Sequence, residues 1–251
     1  MIKNYNPVIF LFLLKNKHSF MPMLVEKDLF ISHEVKEEDV YDNNTGTTLC
    51  LSLDNCLVFS ADTRHSTGSL INSRESSKIF RYKNIIFCGT GFYADVYEVF
   101  QRLKYEIIVY EQRNGPMKIS SAAHLLFNIL YTRRFFPYYV FCSLGGYEKT
   151  SDEFLLYSFD CIGSYSLNKC RVDGSAASMI QPLLDSLINK RNWNKEVDPS
   201  LLDIDKNKAI EIVRSSFNAA AERDVKTGDY LEIIVVERSG MERMVYDLRK
   251  D

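Results

Sequence analysis

The chain has 251 residues, 46% of them hydrophobic and 25% charged, with a formal net charge of −2. That is ample apolar material for one large globular domain and too much for a disordered chain. Thirty-one basic against thirty-three acidic residues give no electrostatic footprint for nucleic acid. The six cysteines (50, 56, 88, 142, 161 and 170) lack any CxxC pair or neighbouring histidine at metal-ligand spacing. They read as reduced thiols packed as small hydrophobes in a cytosolic or nuclear protein.

Residues 1–45 read as a leader or pro-segment. The apolar run Val8–Leu14 is far shorter than the roughly 20 residues a spanning helix needs, and no small-residue cleavage site follows it. From Glu26 to Asp42 the chain turns acidic, then reaches the turn signal Asp42-Asn43-Asn44-Thr45-Gly46. Beyond it, Thr47–Leu53 and Cys56–Ala61 form β-rich runs around Asp54-Asn55, a hairpin pattern. Lys78–Arg81 and Ile85–Gly89 make a second pair. Val96, Phe100, Leu103 and Ile107 recur at helical spacing. A second helix carries Ala122, Leu125, Leu126, Ile129 and Leu130 on one stripe, with Ser120 or Ser121 as its cap and Pro137 as its end.

Strands are expected over Tyr138–Leu144, Glu153–Phe159 and Ser164–Arg171. The pattern then predicts a helix over Ala176–Ile188, blemished by Pro182, a solvated loop over Asn189–Asp198, and a helix through Ile210, Val213, Phe217, Ala220 and Ala221. Tyr230–Val236 and Arg243–Tyr246 close the chain as strands. Runs of strands separated by helix pairs do not suit a doubly wound parallel sheet. They suit an α+β four-layer α-β-β-α sandwich.

Two easy functional readings fail. Gly89-Thr90-Gly91 lacks the third glycine and the Lys-Ser/Thr of a phosphate loop. The histidines (18, 33, 65 and 124) are dispersed, so no metal or other cofactor is expected. The informative pattern surrounds the first hairpin. Thr45-Gly46-Thr47-Thr48-Leu49 opens a strand and Ser60-Ala61-Asp62-Thr63-Arg64 ends the next. Asp62 lies sixteen residues beyond Gly46, and Lys78 sixteen further on.

This layout resembles the beta subunits of the proteasome, which have the N-terminal-nucleophile hydrolase fold, over residues 40–251. The resemblance implies a pocket in which a self-exposed N-terminal threonine attacks a carbonyl beside a lysine that favours its ionised form. Asp62 matches the first catalytic aspartate, Lys78 the lysine, and Asp224 the second aspartate. Thr227 stands where a serine is usual, and Gly228 completes that motif. Ser175 matches the serine of the Gly-Ser turn, and Gly91 the glycine whose N–H serves an oxyanion hole.

In that register the nucleophile's place is taken by Gly46, which has no hydroxyl. Thr47 is one residue away, and on a strand that slip turns a side chain to the opposite face. The resemblance is therefore to the family's non-catalytic members. They are structural subunits of a twenty-eight-subunit particle of stacked seven-membered alpha and beta rings. That particle degrades polypeptides in ubiquitin-dependent and ATP-dependent fashion, in cytoplasm and nucleus, with no nucleic-acid or membrane partner. The alternative is an active hydrolase using Thr47 after cleavage behind Gly46. Arg133-Arg134-Phe135-Phe136-Pro137-Tyr138 has the Arg-aromatic make-up of an interface anchor, with Arg133, Arg134, Phe136 and Tyr138 as its candidates.

Overall fold

The computed structural model describes residues 41–189 and 204–250. The apolar run Val8–Leu14, the rest of residues 1–40 and nearly all of the expected loop over Asn189–Asp198 lie outside them. Ten strands build two antiparallel sheets of five, and two short strands pair separately. The first sheet contains β1 (Thr47–Ser52), β2 (Leu57–Asp62), β10 (Cys170–Gly174), β11 (Tyr230–Glu237) and β12 (Gly240–Asp247), in the order β10-β1-β2-β11-β12. The second contains β5 (Ile79–Tyr82), β6 (Ile85–Gly91), β7 (Val140–Glu148), β8 (Glu153–Phe159) and β9 (Tyr165–Leu167), in sequence order. The small pair is β3 (His65–Thr67) with β4 (Leu70–Ser73).

Burial along the strands explains the stacking. Side chains alternate across a strand, so a strand buried at every position must have cover on both faces. β2 (LVFSAD) and β6 (IIFCGTG) are buried throughout. One face of β6 (Ile85, Phe87) meets helices α1 (Tyr93–Asn114) and α2 (Ile119–Tyr131), against Val96, Phe100, Leu103, Leu126 and Leu130. One face of β1 and β11 (Leu49, Leu51, Ile233, Val235) meets α3 (Ala177–Leu184) and α4 (Lys206–Ala221), against Ile180, Leu184, Val213 and Phe217. Between the sheets lie Cys50, Leu57, Phe59, Ile86, Cys88, Leu156 and Val236. The four layers are therefore helix, sheet, sheet, helix, as the strand and helix runs predicted.

Three local expectations need correction. The stretch Ser164–Arg171 is two strands in different sheets: β9 pairs with β8, while β10 pairs with β1. The chain crosses between layers at Asn168, whose amide donates to Ser158 Oγ at 2.6 Å. Neither Ser120 nor Ser121 caps α2. Its first amide, Ile119 N–H, donates to the Glu148 carboxylate of β7 at 2.9 Å, a cap that tertiary structure supplies. The helix expected over Ala176–Ile188 is α-helical only to Leu184 and continues as a π-turn from Asp185 to Asn189. Pro182 lies within its last α-helical turn.

Candidate functional site

The ends of β1 and β2 create the site. Their antiparallel register sets Thr48 against Ala61, so Asp62 emerges beside the Gly46–Thr47 link. Lys78, just before β5, reaches the same spot and is fully buried. Its ammonium donates to Asp62 Oδ1 at 3.0 Å, the Asp62 carbonyl at 2.6 Å and the Arg64 carbonyl at 2.8 Å. An ammonium has three hydrogens, and these contacts use all of them.

The Asp62 carboxylate is equally occupied. Oδ1 also accepts from Thr47 N–H at 2.7 Å, and Oδ2 accepts from Arg64 N–H at 3.1 Å and Gly228 N–H at 3.3 Å. Burial pushes Asp62 up and Lys78 down, each away from its charged form, while each partner's charge opposes the shift.

Asp224, Thr227 and Ser175 form a second cluster. Asp224 Oδ2 accepts from Ser175 Oγ at 2.5 Å and Thr227 Oγ1 at 2.6 Å. Thr227 has one hydroxyl proton, and Asp224 takes it. The 2.8 Å bond between Thr47 Oγ1 and Thr227 Oγ1 must therefore carry the Thr47 proton. Ala176 N–H donates to Thr47 Oγ1 at 3.0 Å. The two clusters thus meet at Thr47, by its amide on one side and its hydroxyl on the other, and again where Gly228, next to Thr227, donates its N–H to Asp62. Among the hydrogen bonds described, none joins Thr47 Oγ1 to Lys78.

Gly46 lies between the clusters. A methyl carbon built on its backbone would sit 2.5 Å from Asp62 Oδ2 and from the Lys226 carbonyl oxygen, and closer still to Oδ1. Real Cβ atoms do not approach so closely, so position 46 has no room for a side chain in this arrangement. The Gly46 carbonyl accepts from Ser175 N–H at 3.1 Å and crowds Gly174, whose φ of +102° is left-handed backbone that favours glycine.

The segment before Gly46 packs against Gly91. Thr45 is fully buried; its hydroxyl accepts from Gly91 N–H at 2.6 Å and donates to the Gly91 carbonyl at 3.1 Å. Asn44 N–H donates to the Gly91 carbonyl at 3.3 Å, and its carbonyl accepts from Ser66 N–H at 3.1 Å. Asn44 Oδ1 caps α1 by accepting from Tyr93 N–H at 2.9 Å, and Lys226 Nζ donates to the Asn43 carbonyl at 2.6 Å. The Gly91 N–H expected to face an oxyanion is therefore spent on a threonine of the same chain.

Sequence reasoning missed this packing, having read Asn43–Thr45 as turn chemistry. It also missed the buried pair of Arg64 with Asp229, 3.0 Å apart, which Arg74 joins from the surface. Asp229 adjoins Gly228, so the pair braces the turn that presents Gly228 N–H to Asp62. Of the anchor candidates, Arg133, Arg134 and Phe136 are exposed, but Tyr138 is not. It is 6% exposed and belongs to the core under α1 and α2, with Arg133 over its ring. The more exposed of that ridge's two outward aromatics is Phe135, at 89%.

Comparison with known proteins locates this geometry. The proteasome subunit family model matches residues 42–236. A probable proteasome subunit beta type-6 of Encephalitozoon cuniculi is 48% identical over 213 residues, 85% of this chain and 71% of that protein. The proteasome subunit beta type-6 of Saccharomyces cerevisiae is 36% identical over 219 residues, 84% of this chain and 90% of that protein. Proteasome subunit beta type-1 of Danio rerio is 37% identical over 214 residues, with shares of 84% and 88%.

Proposed function

The chain belongs to the proteasome subunit family, and from that premise we propose that it is a non-catalytic, structural beta subunit of the core particle. It takes one place in a seven-membered beta ring of a twenty-eight-subunit particle, beside alpha and beta neighbours. There it helps enclose the chamber in which polypeptides are degraded in ubiquitin-dependent and ATP-dependent fashion, in cytoplasm and nucleus. Its contribution is architectural.

One observation carries the reading. The place of the nucleophile is a glycine whose side-chain volume is taken by the Asp62 carboxylate and the Lys226 carbonyl. Two features support it. The Gly91 N–H is occupied by Thr45, and the ammonium that would assist a nucleophile has no hydrogen left to give. Asp62 and Lys78 then act as a buried ion pair fixing the start of β1. Asp224, Thr227 and Ser175 fix the turn beside it.

The alternative, hydrolysis by Thr47 after cleavage behind Gly46, needs Lys78 to serve the Thr47 hydroxyl, which instead gives its proton to Thr227. The segments Arg133–Val140, Tyr157–Asp160, Gly163–Tyr165 and Ala220–Asp224 resemble the beta type-6 (beta type-1) member, which agrees with the first reading. Native extract separated by size tests it: the chain should elute within a particle of many hundred kilodaltons, and the purified full-length chain should not turn over fluorogenic peptides. Elution as a free monomer contradicts the assembly role, and turnover lost on Thr47→Ala contradicts the non-catalytic one.

A further inference from the structure

We propose that Cys50 and Cys88 are a latent inter-sheet disulfide, whose oxidation staples together the two strands that form the walls of the site. Cys50 lies on β1, four residues beyond Gly46, and Cys88 lies on β6, three residues before Gly91. The two strands belong to different sheets, and both thiols point into the layer between them. Cys50 is 1% exposed, Cys88 is fully buried, and their sulphurs stand 3.1 Å apart. A disulfide is about 2.0 Å long, so the sulphurs need to close by only about 1 Å.

The remaining cysteines are placed to stay out of this pairing. Cys142 pairs across the ladder with Gly89 and packs among the α1 and α2 side chains, on the other face of the second sheet. Cys56 and Cys170 belong to the opposite core, under α3 and α4. Cys161 is partly exposed in the turn after β8.

The chemistry needs an oxidant, of the azodicarboxamide class (diamide) or a small disulfide. Both S–H bonds break and one S–S bond forms. The electron pair and two protons reduce the N=N bond to a hydrazine, or the small disulfide to two thiols. Burial pushes the Cys50 thiol well up, so little thiolate exists while the layer is closed. Oxidation therefore proceeds when the sheets part, during folding or local opening. Once formed, the bond ties β1 to β6 close to the Thr45–Gly91 contacts.

The test uses the full-length chain, refolded with and without diamide and digested without reduction. The proposal predicts one dominant linked peptide pair, Cys50 with Cys88, and a rise in Tm of about 10 °C that a thiol reductant reverses. Cys88→Ala and Cys50→Val should each abolish both the linked pair and the shift. If either variant folds poorly, the linked peptide in the wild-type chain still decides. Recovery of Cys50 and Cys88 as free thiols after Cys161 has been oxidised would overturn the proposal. So would pairing with other cysteines, or a linked chain that melts lower than the reduced one.

Discussion

At the site end, Lys78 is fully buried and its ammonium spends every hydrogen on Asp62 and Arg64. At the end of α2, Arg134 lies over Tyr131 and Phe135, 4.6 and 4.4 Å from their ring centres, while Phe135 is 89% exposed and Phe136 52%. Both regions join cations to partners of the same chain. In the first, the polar groups described above find partners, and Thr47, Asp62, Lys78 and Thr227 are buried. In the second, a cationic and aromatic ridge faces outward with its largest apolar surfaces uncovered. A region finished within its own chain is built to hold shape; one that leaves aromatic area exposed is built to be completed by something else.

The largest expected effect breaks the finished side. Lys78→Met keeps the volume but strands the Asp62 carboxylate in the core, and should cost about 3–5 kcal/mol of stability, read as a lower urea midpoint. Adding Asp62→Asn should restore a good part of that loss; a double variant no better than the single would show that the pair is not the cause.

Gly46→Thr comes next. It restores the hydroxyl that the family's mechanism asks for, but in a space already filled, so about 3 kcal/mol should be lost without any gain in peptide turnover. An active Gly46→Thr chain would mean that the segment over Gly91 yields easily, and the contrast between the regions would collapse.

On the open side, Arg134→Ala with Phe135→Ala should leave the chain's own stability within about 0.5 kcal/mol. It should weaken incorporation into the particle by about 2 kcal/mol, roughly thirty-fold, in a competition assembly assay. The reverse pattern, a destabilised chain that assembles normally, would make the ridge part of the fold.

The smallest effect sharpens the boundary between the regions. The His65 ring lies tilted against that of Tyr93, 5.2 Å between centres, and its backbone forms a β-bridge with Thr45. Burial, with Lys78 nearby, lowers its pKa from 6.5, while Asp42 opposes the shift. The unfolded chain therefore binds the proton more readily. The stability that neutral His65 gives is complete above pH 6.5 and lost as pH falls below it. Between about pH 7.5 and about pH 5.5 the wild type should lose more Tm than His65→Gln. Parallel melting curves would place the histidine outside this account.

Sequence pattern was enough for the layers, because β1, β2, β6 and β11 are apolar runs of strand length between turn residues, and α1 repeats at helical spacing. It missed what depends on partners distant in the chain. β3 and β4 are three and four residues long, too short for periodicity to register. Ser164–Arg171 looks like one strand, because nothing in its composition tells which sheet each half joins. At the site, the spacing of Gly46, Asp62 and Lys78 was legible, since two antiparallel strands and a loop fix it. That Thr45 would take the Gly91 N–H was not, because a threonine beside glycine reads as turn chemistry until the strand opposite is known. Tyr138 misled for a related reason: the Arg-aromatic string is exposed from Arg133 to Phe136 and turns into the core at Tyr138, and composition alone does not mark where it turns.

The most direct test isolates this chain from native particles exposed to a peptide electrophile that modifies catalytic N-terminal threonines, and weighs it intact. The account predicts an N-terminus upstream of Gly46 and a mass without adduct, while active neighbours in the same sample are modified. A chain that begins at Thr47 and carries one equivalent of the electrophile would contradict it.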